Sequence, residues 1–234
     1  IIGSKTSTTR KVDNIGSFKN LTVNGSPDVV YKQVEGGSPR IEIFGPDNIV
    51  PLVETSVENN TLIVRFKKNT NIQNRGKLEV RVWAPALDNI KVQGSGDIYL
   101  PEGINTSRLR LAVAGSGDIS GKKIACSELE ISVAGSGDIH LREIKATNLN
   151  AKVSGSGDIH LEGTATHTDY AVRGSGDIKA DKLKAEHVQA QVNGSGDITC
   201  HATQTLKGKV NGSGDVGYKG NPEISFSKKG LRKL

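Results

Sequence analysis

The tetrapeptide Gly-Ser-Gly-Asp occurs seven times in this chain, beginning at Gly94, Gly115, Gly135, Gly155, Gly174, Gly194 and Gly212, at spacings of 21, 20, 20, 19, 20 and 18 residues. A fixed period near 20 marks a solenoid, because a unit that short cannot bury an apolar face alone and must stack on its neighbours. Two residues before each first glycine stands a valine (Val92, Val113, Val133, Val153, Val172, Val192, Val210). Directly after each Asp stands Ile98, Ile119, Ile139, Ile159, Ile178, Ile198 or Val216. Upstream, apolar residues continue with a period of two, as at Leu109, Leu111, Leu129, Ile131 and Leu149. That period belongs to strands with one buried face. A helical repeat would show a period of three to four, and a leucine-rich repeat would need an Asn-containing consensus that is missing. The pattern therefore predicts an all-β fold, a right-handed single-stranded parallel β-helix. Its coils of about 20 residues stack about 4.8 Å apart into a rod on the order of 30 Å long.

The corner residues follow from the turn they must make. Glycines at both flanking positions (Gly94 and Gly96, Gly115 and Gly117, Gly135 and Gly137, Gly155 and Gly157, Gly174 and Gly176, Gly194 and Gly196, Gly212 and Gly214) allow a sharp corner with φ > 0. The Ser and Asp side chains are expected to accept hydrogen bonds from N–H groups of their own turn. Val23 to Val30 reads Val-Asn-Gly-Ser-Pro-Asp-Val-Val, a degenerate eighth corner with Pro27 in place of the second glycine.

The 69 residues from Gly25 to Gly94 are too many for one coil. They hold alternating segments near Arg40 to Phe44, Thr61 to Lys67 and Lys77 to Trp83, with turns at Glu58-Asn59-Asn60 and Asn71 to Gly76. An antiparallel, longer-stranded, hairpin-like cap is expected there. An open β-helix end is an unpaired edge, so Phe226 and the basic tail to Leu234 are expected to close the other end. The resulting divisions are 1–22, lead-in and first strand; 23–93, degenerate coil and hairpin-like strands; 94–220, regular repeats; and 221–234, C-terminal cap and tail.

Composition narrows the function classes. With 28 Gly, one Trp, four Tyr, four Phe and 35% hydrophobic residues, the chain suits a thin layered β structure better than a thick globular core. No apolar stretch approaches the roughly 18 to 20 residues that cross a bilayer, so membrane attachment would have to lie outside the visible chain. The net charge of +6 is spread out apart from Lys228, Lys229, Arg232 and Lys233. Nucleic-acid binding would want a basic stripe with interleaved aromatics, and neither is present. The sequence holds no Met, so a processed or N-terminally trimmed chain is expected. Ile1 to Lys11 then reads as a flexible approach downstream of a removed signal peptide or a lipid-anchor cysteine.

Asp97, Asp118, Asp138, Asp158, Asp177, Asp197 and Asp215 form the most regular polar feature. Carboxylates about 5 Å apart repel, so each must be hydrogen-bonded or neutralised. Turn capping is the primary reading, with a calcium ladder as the alternative; calcium wants roughly six to eight oxygens, and one Asp per coil supplies few. His140 and His160 share a register on consecutive coils and are expected to face outward, while His167, His187 and His201 fall at unmatched offsets and read as surface residues. Cys126 and Cys200 lie four coils apart, roughly 15 to 20 Å, beyond the reach of a disulfide. Cys200 is expected to be a buried free thiol.

The entry strand ending Val-Asn-Gly-Ser-Pro-Asp-Val, the Asn-Asn-Thr-Leu-Ile-Val segment and the junction Val-Trp-Ala-Pro-Ala-Leu-Asp-Asn-Ile-Lys-Val-Gln-Gly-Ser-Gly-Asp-Ile, with the later repeats, resemble the head GIN domain family of auto-transporter adhesins, common in Bacteroidetes. The resemblance spans nearly the whole chain. It implies an exported β-helix at the cell surface, the outer membrane or the periplasm, with an unidentified protein or glycan ligand. It carries no catalytic motif, no cofactor and no metal site.

An alternative is a β-helical pectinase or polysaccharide lyase, which needs convergent acids or arginines in a groove; Arg108, Arg110, Arg142 and Arg173 occupy different registers. A purely structural envelope component is the third reading. A concave patch of irregular residues would favour binding and uniform ladders a scaffold, and an exposed flat face leaves room for self-association.

Overall fold

The computed structural model describes residues 1–73, 76–227 and 229–234. The centre of the expected Asn71 to Gly76 turn and Lys228 of the basic tail lie outside them. The described residues form nineteen strands joined in one continuous sheet that winds on itself. In chain order come β1 (Ser7–Val12), β2 (Asn20–Asn24), β3 (Val29–Gln33) and β4 (Arg40–Pro46), then a 3-10 turn at Val50–Leu52, then β5 (Val53–Glu58), β6 (Thr61–Phe66) and β7 (Glu79–Ala84). β8 (Asn89–Gly94) and β9 (Ile98–Leu100) flank the first full corner, and β10 (Ile104–Asn105) and β11 (Arg108–Gly115) lead to the second. From there each coil is one long bent strand: β12 (Ile119–Gly135), β13 (Ile139–Gly155), β14 (Ile159–Gly174), β15 (Ile178–Gly194) and β16 (Ile198–Gly212). β17 (Val216–Lys219), β18 (Glu223–Phe226) and β19 (Leu231–Lys233) end the chain. This is the all-β parallel solenoid that the 20-residue period predicts, with antiparallel strands at its N-terminal end.

Successive coils pair in parallel, glycine on glycine: Gly94, Gly115, Gly135, Gly155, Gly174, Gly194 and Gly212 stack in one column. The valines before the corners and the isoleucines after them point inward, and nearly all are fully buried. Each such side chain contributes about 1.5–3 kcal/mol of burial. A second bend per coil carries no glycine signature in every repeat. It uses positive φ at Gly103, Lys123, Glu143 and Gly163, so two ordinary side chains sit in the left-handed region that disfavours them.

Tyr170 shows how the core keeps its volume constant. It stacks between Ala151 and Ala190, and the two small residues leave the room that its ring fills. Its hydroxyl is buried beside that of Thr168, and among the described residues the two have at most each other as a hydrogen-bond partner. Leaving buried hydroxyls unpaired costs stability, whereas removing both is close to neutral. The double variant Tyr170→Phe with Thr168→Val is therefore expected to be as stable as the parent or more so, by up to about 2 kcal/mol in urea unfolding; a loss of stability would show that the pair of hydroxyls makes a net stabilising bond.

At the N-terminal end the stacking order departs from the chain order. β2 lies between β6 and β8, and β3 lies between β7 and β9, all in parallel. The degenerate corner at Gly25 to Asp28 is thus stacked directly against the Gly94 corner, and the strands β6 and β7 form the outer layer. Antiparallel pairs β5–β6, β4–β7 and β1–β4 finish that end, and Ile49, Val50 and Val53 bury themselves around the 3-10 turn. Pro27 stands where every later corner has glycine, and the layer beyond it carries no such corner in its sequence: β6 ends at Phe66 and β7 begins at Glu79. At the other end β18 and β19 add a last layer on β16 and β17.

Candidate functional site: a polar groove across the coils

The corners must be accounted for first, since they carry the most regular polar residues. Their N–H groups are satisfied between coils and not within each turn, which corrects the expectation of self-capping. The carbonyl of Gly94 accepts from the N–H groups of Ser116 (3.0 Å) and Gly117 (2.9 Å), and the same pair of bonds recurs up the stack. Each Asp Oδ1 accepts the N–H of the Asp one coil on: Asp28 from Asp97 (2.9 Å), Asp97 from Asp118 (2.9 Å), Asp118 from Asp138 (2.8 Å), Asp138 from Asp158 (2.8 Å), Asp158 from Asp177 (2.9 Å), Asp177 from Asp197 (2.8 Å) and Asp197 from Asp215 (2.8 Å). The physical reason is geometric. A tight corner turns its own N–H groups toward the adjacent layer, where a carboxylate about 5 Å away is the nearest acceptor.

Burial raises the pKa of Asp28 and of Asp118 above the ordinary carboxylate value, with neighbouring ladder carboxylates adding to the shift; the accepted N–H bonds oppose it without prevailing. Among the described residues no group of three or more His, Cys, Asp or Glu side chains is placed to hold a metal ion.

His140 and His160 stack on consecutive coils with ring centroids 5.0 Å apart, in a column with Ser120 and Lys179. Burial, then the charges of Lys179 and His140, lower the pKa of His160. His167 and His187 also stack, at 4.9 Å with a 16° angle between rings, which corrects the reading of their offsets as unmatched. They stand 12 and 13 residues from the start of their own corners. A register shift between His160 and Glu162, opposite Lys179 and Lys182, absorbs the extra residue. Cys126 is half-buried and Cys200 buried, both as free thiols; burial pushes their pKa values up to about 11 and about 12.

On the outer face of the strands that lead into the corners, two neighbouring columns vary from coil to coil, with one repeated pair at His167 and His187. The first reads Arg108, Glu128, Asn148, His167, His187, Thr205. Asn148 Nδ2 donates to Glu128 Oε1 at 2.8 Å, and His187 Nδ1 lies 2.8 Å from Thr205 Oγ1. The second reads Asn89, Arg110, Glu130, Asn150, Asp169, Gln189, Lys207. Here the Arg110 guanidinium donates twice to Glu130 Oε2, at 3.0 and 3.2 Å. Burial raises the pKa of Asp169.

A cleft of about 680 Å³ follows these columns from Glu128 to Lys207, and another of about 530 Å³ continues it from Glu128 and Glu130 to Asp88 and Asn89. Together they make a groove along the rod, about 29 Å over six coil-to-coil steps. Arg108 and Arg110 enter this groove on one face, while Arg142 lies on the other face in register with Lys122 and Arg173 stands beside a corner glycine. Sequence reasoning missed the groove because its residues carry no repeat; the available signal was alternation, which places positions 128, 130, 148 and 150 outward on adjacent coils.

Residues 17–142 and 122–222 match the family described as "Putative auto-transporter adhesin, head GIN domain". The chain belongs to this family. Crystal structures of other proteins share the head GIN architecture over the whole chain. A "putative adhesin" from Bacteroides fragilis is 32% identical, with a TM-score of 0.75 and 100% of both chains covered. A "putative lipid binding protein" from Parabacteroides distasonis is 29% identical, with a TM-score of 0.90, covering 100% of this chain and 99% of that one. A "putative adhesin" from Parabacteroides merdae, 24% identical with a TM-score of 0.90, covers 100% and 98% and shares the fold. No curated protein matches the chain. Head GIN membership supports an adhesin-like protein.

Proposed function

We propose that the chain is an exported, non-catalytic, adhesin-like protein of the cell surface, outer membrane or periplasm, and that its groove holds an extended, hydroxyl-rich polymer, an envelope or extracellular polysaccharide. The observation that carries this reading is the contrast between two polar features of one rod. The corner ladder repeats a single residue and spends its acceptors on its own backbone, as a scaffold does. The groove columns vary from coil to coil, repeating a residue only at His167 and His187, and present amides, carboxylates, imidazoles and cations outward. Such groups donate to and accept from hydroxyls, and their spacing of about 4.8 Å suits a ligand contacted at many points along its length. Within the middle coils every strand has a parallel partner on both sides, so a peptide could not add to an edge there. The adhesin and lipid-binding names of the relatives both describe binding roles. No helix of the described residues is long and apolar enough to cross a membrane.

The test is calorimetric titration of soluble bacterial and host polysaccharides, with reducing ends followed in the same samples. At least one polysaccharide is expected to bind, and Asn150→Ala with Gln189→Ala is expected to weaken it about tenfold, or about 1.4 kcal/mol, with folding stability within about 0.5 kcal/mol of the parent. Binding that these substitutions leave unchanged, or retention on lipid vesicles alone, would overturn the groove assignment. A rise in reducing ends would overturn the non-catalytic reading.

A further inference from the structure

A second pocket lies at the N-terminal end, on β3 and β7 beside the end of β9 and so in the stack of strands that follows the corners and not in the one that leads into them, and it is built from different chemistry. Trp83, the sole tryptophan of the chain, sits on β7 between Arg40 of β4 and Lys32 of β3. The Arg40 guanidinium covers one side of the indole, with its carbon 4.0 Å from the ring centroid. Beside the ring is a pocket of about 290 Å³ lined by Val30, Lys32, Glu79, Arg81, Trp83 and Pro101. Its floor is apolar, from Val30, Pro101 and the indole, and its rim is charged.

The rim is held in place before any ligand arrives. Arg81 Nε bonds Glu79 Oε1 at 2.8 Å, and Lys77 Nζ lies 3.2 Å from Glu79 Oε2. The Arg81 guanidinium also lies over the Phe44 ring at 5.0 Å, and Lys32 reaches Glu102 at 3.4 Å. Burial raises the pKa of Glu79, but its ion pairs with Arg81 and Lys77 outweigh that and hold it below the ordinary value, so the carboxylate is charged and able to accept from hydroxyls. Lysine and arginine outnumber acids around the opening: Lys32, Arg40, Lys77 and Arg81 against Glu42, Glu79 and Glu102.

From this geometry we infer that the Trp83 pocket binds a single pyranose ring bearing a carboxylate, a uronic-acid-type sugar at a chain end or branch. An apolar floor with an aromatic wall takes the C–H face of a sugar ring. Arg81 and Lys32 supply the charge-assisted bonds that a carboxylate needs, and Glu79 accepts from the ring hydroxyls. About 290 Å³ stands at the lower end of ligand sites and has room for one ring, not a chain. This inference does not rest on the groove: the two sites lie on different strands and share no residue.

Because Trp83 is the only tryptophan, its emission reports on the pocket directly. Glucuronic and galacturonic acids, titrated into the intact chain up to the millimolar range, are expected to change that emission saturably, while glucose leaves it unchanged. Arg81→Ala keeps the fluorophore and is expected to weaken the response about tenfold or more. Val30→Phe fills the floor without removing a charge and is expected to abolish it, and thermal unfolding of both variants checks that they fold. The groove variant Asn150→Ala with Gln189→Ala is expected to respond like the parent. No saturable change with either uronate, an equal response to glucose, an unaltered response in folded Val30→Phe, or loss of response in the groove variant would each overturn the assignment. Failure of polysaccharide binding at the groove with an intact uronate response would sink only the groove reading.

Discussion

Gly157→Ala is expected to destabilise the solenoid by about 3 kcal/mol or more, among the largest single effects available in this fold. A Cβ on Gly157 would lie 1.9 Å from the carbonyl oxygen of Gly137 and 2.8 Å from Val133 Cγ1. The first contact is with backbone, which cannot swing aside. To admit the methyl group, the coil must move away from its neighbour, and that movement breaks the bonds from Ser156 and Gly157 N–H to the Gly135 carbonyl, now 3.1 and 2.9 Å. Gly16 is the matched control, because a Cβ there meets nothing within 4 Å, and Gly16→Ala is expected to change stability by no more than about 0.5 kcal/mol. Urea unfolding of the two variants decides the matter: equal midpoints would mean that coils can part without cost, and the close-packed corner would no longer explain the repeat.

The second large effect is expected at the carboxylate ladder. Asp158→Ala removes the acceptor of the Asp177 N–H, which stands at 2.9 Å, and should cost about 1–3 kcal/mol. Asp158→Asn keeps an oxygen at the same place and should cost clearly less. The pH dependence has an unusual sign here. At Asp28 and Asp118 the pKa is raised in the folded chain, chiefly by burial, so the folded state holds a proton over a range in which the unfolded state has lost it. Their contribution to stability therefore falls as pH rises from about 4 through the raised values, and returns on acidification. Asp28→Asn with Asp118→Asn is expected to remove that slope without loss of stability at neutral pH. A parent chain whose stability rises across the same range through these two residues would contradict the burial argument. Glu79 and Asp181, with pKa values lowered by their Arg and Lys partners despite burial, work in the opposite direction and lose their contribution as pH falls.

The parts of the molecule that were legible in the sequence are those in which each coil imposes the same constraint on the next. A corner that must stack on a copy of itself admits one set of residues, so the glycines, the flanking valines and the isoleucines show the fold without any comparison. The bend at Lys123 and Glu143 was hidden because the chain there tolerates ordinary side chains in a left-handed conformation, leaving no compositional trace. Turn-internal capping by Asp was the wrong partner choice for the same reason that the repeat was readable: the neighbouring coil is closer to each N–H than the turn's own side chain. The histidine stack at His167 and His187 was missed through a one-residue register shift, since counting from corner glycines assumes equal coils. The groove and the Trp83 pocket depend on departures from the repeat, and a single sequence offers no way to tell a functional departure from a tolerated one.

The interleaved N-terminal end has a consequence for the order in which the chain can assemble. In the regular region each coil finds its partner about 20 residues away, so layers can be added as they are made. The first coil in the sequence has no such neighbour. Asn20 to Gln33 must be flanked by β6 and β7 on one side and by residues 89–99 on the other, so in a chain emerging N-terminus first β2 meets its first partner, β6, after about thirty further residues, and β2 and β3 are enclosed on both sides only after about sixty-six. The head of the rod is therefore closed by distant segments clasping an early one, and the corners beyond it stack on a foundation that is finished only after their own first strand, β8, has emerged.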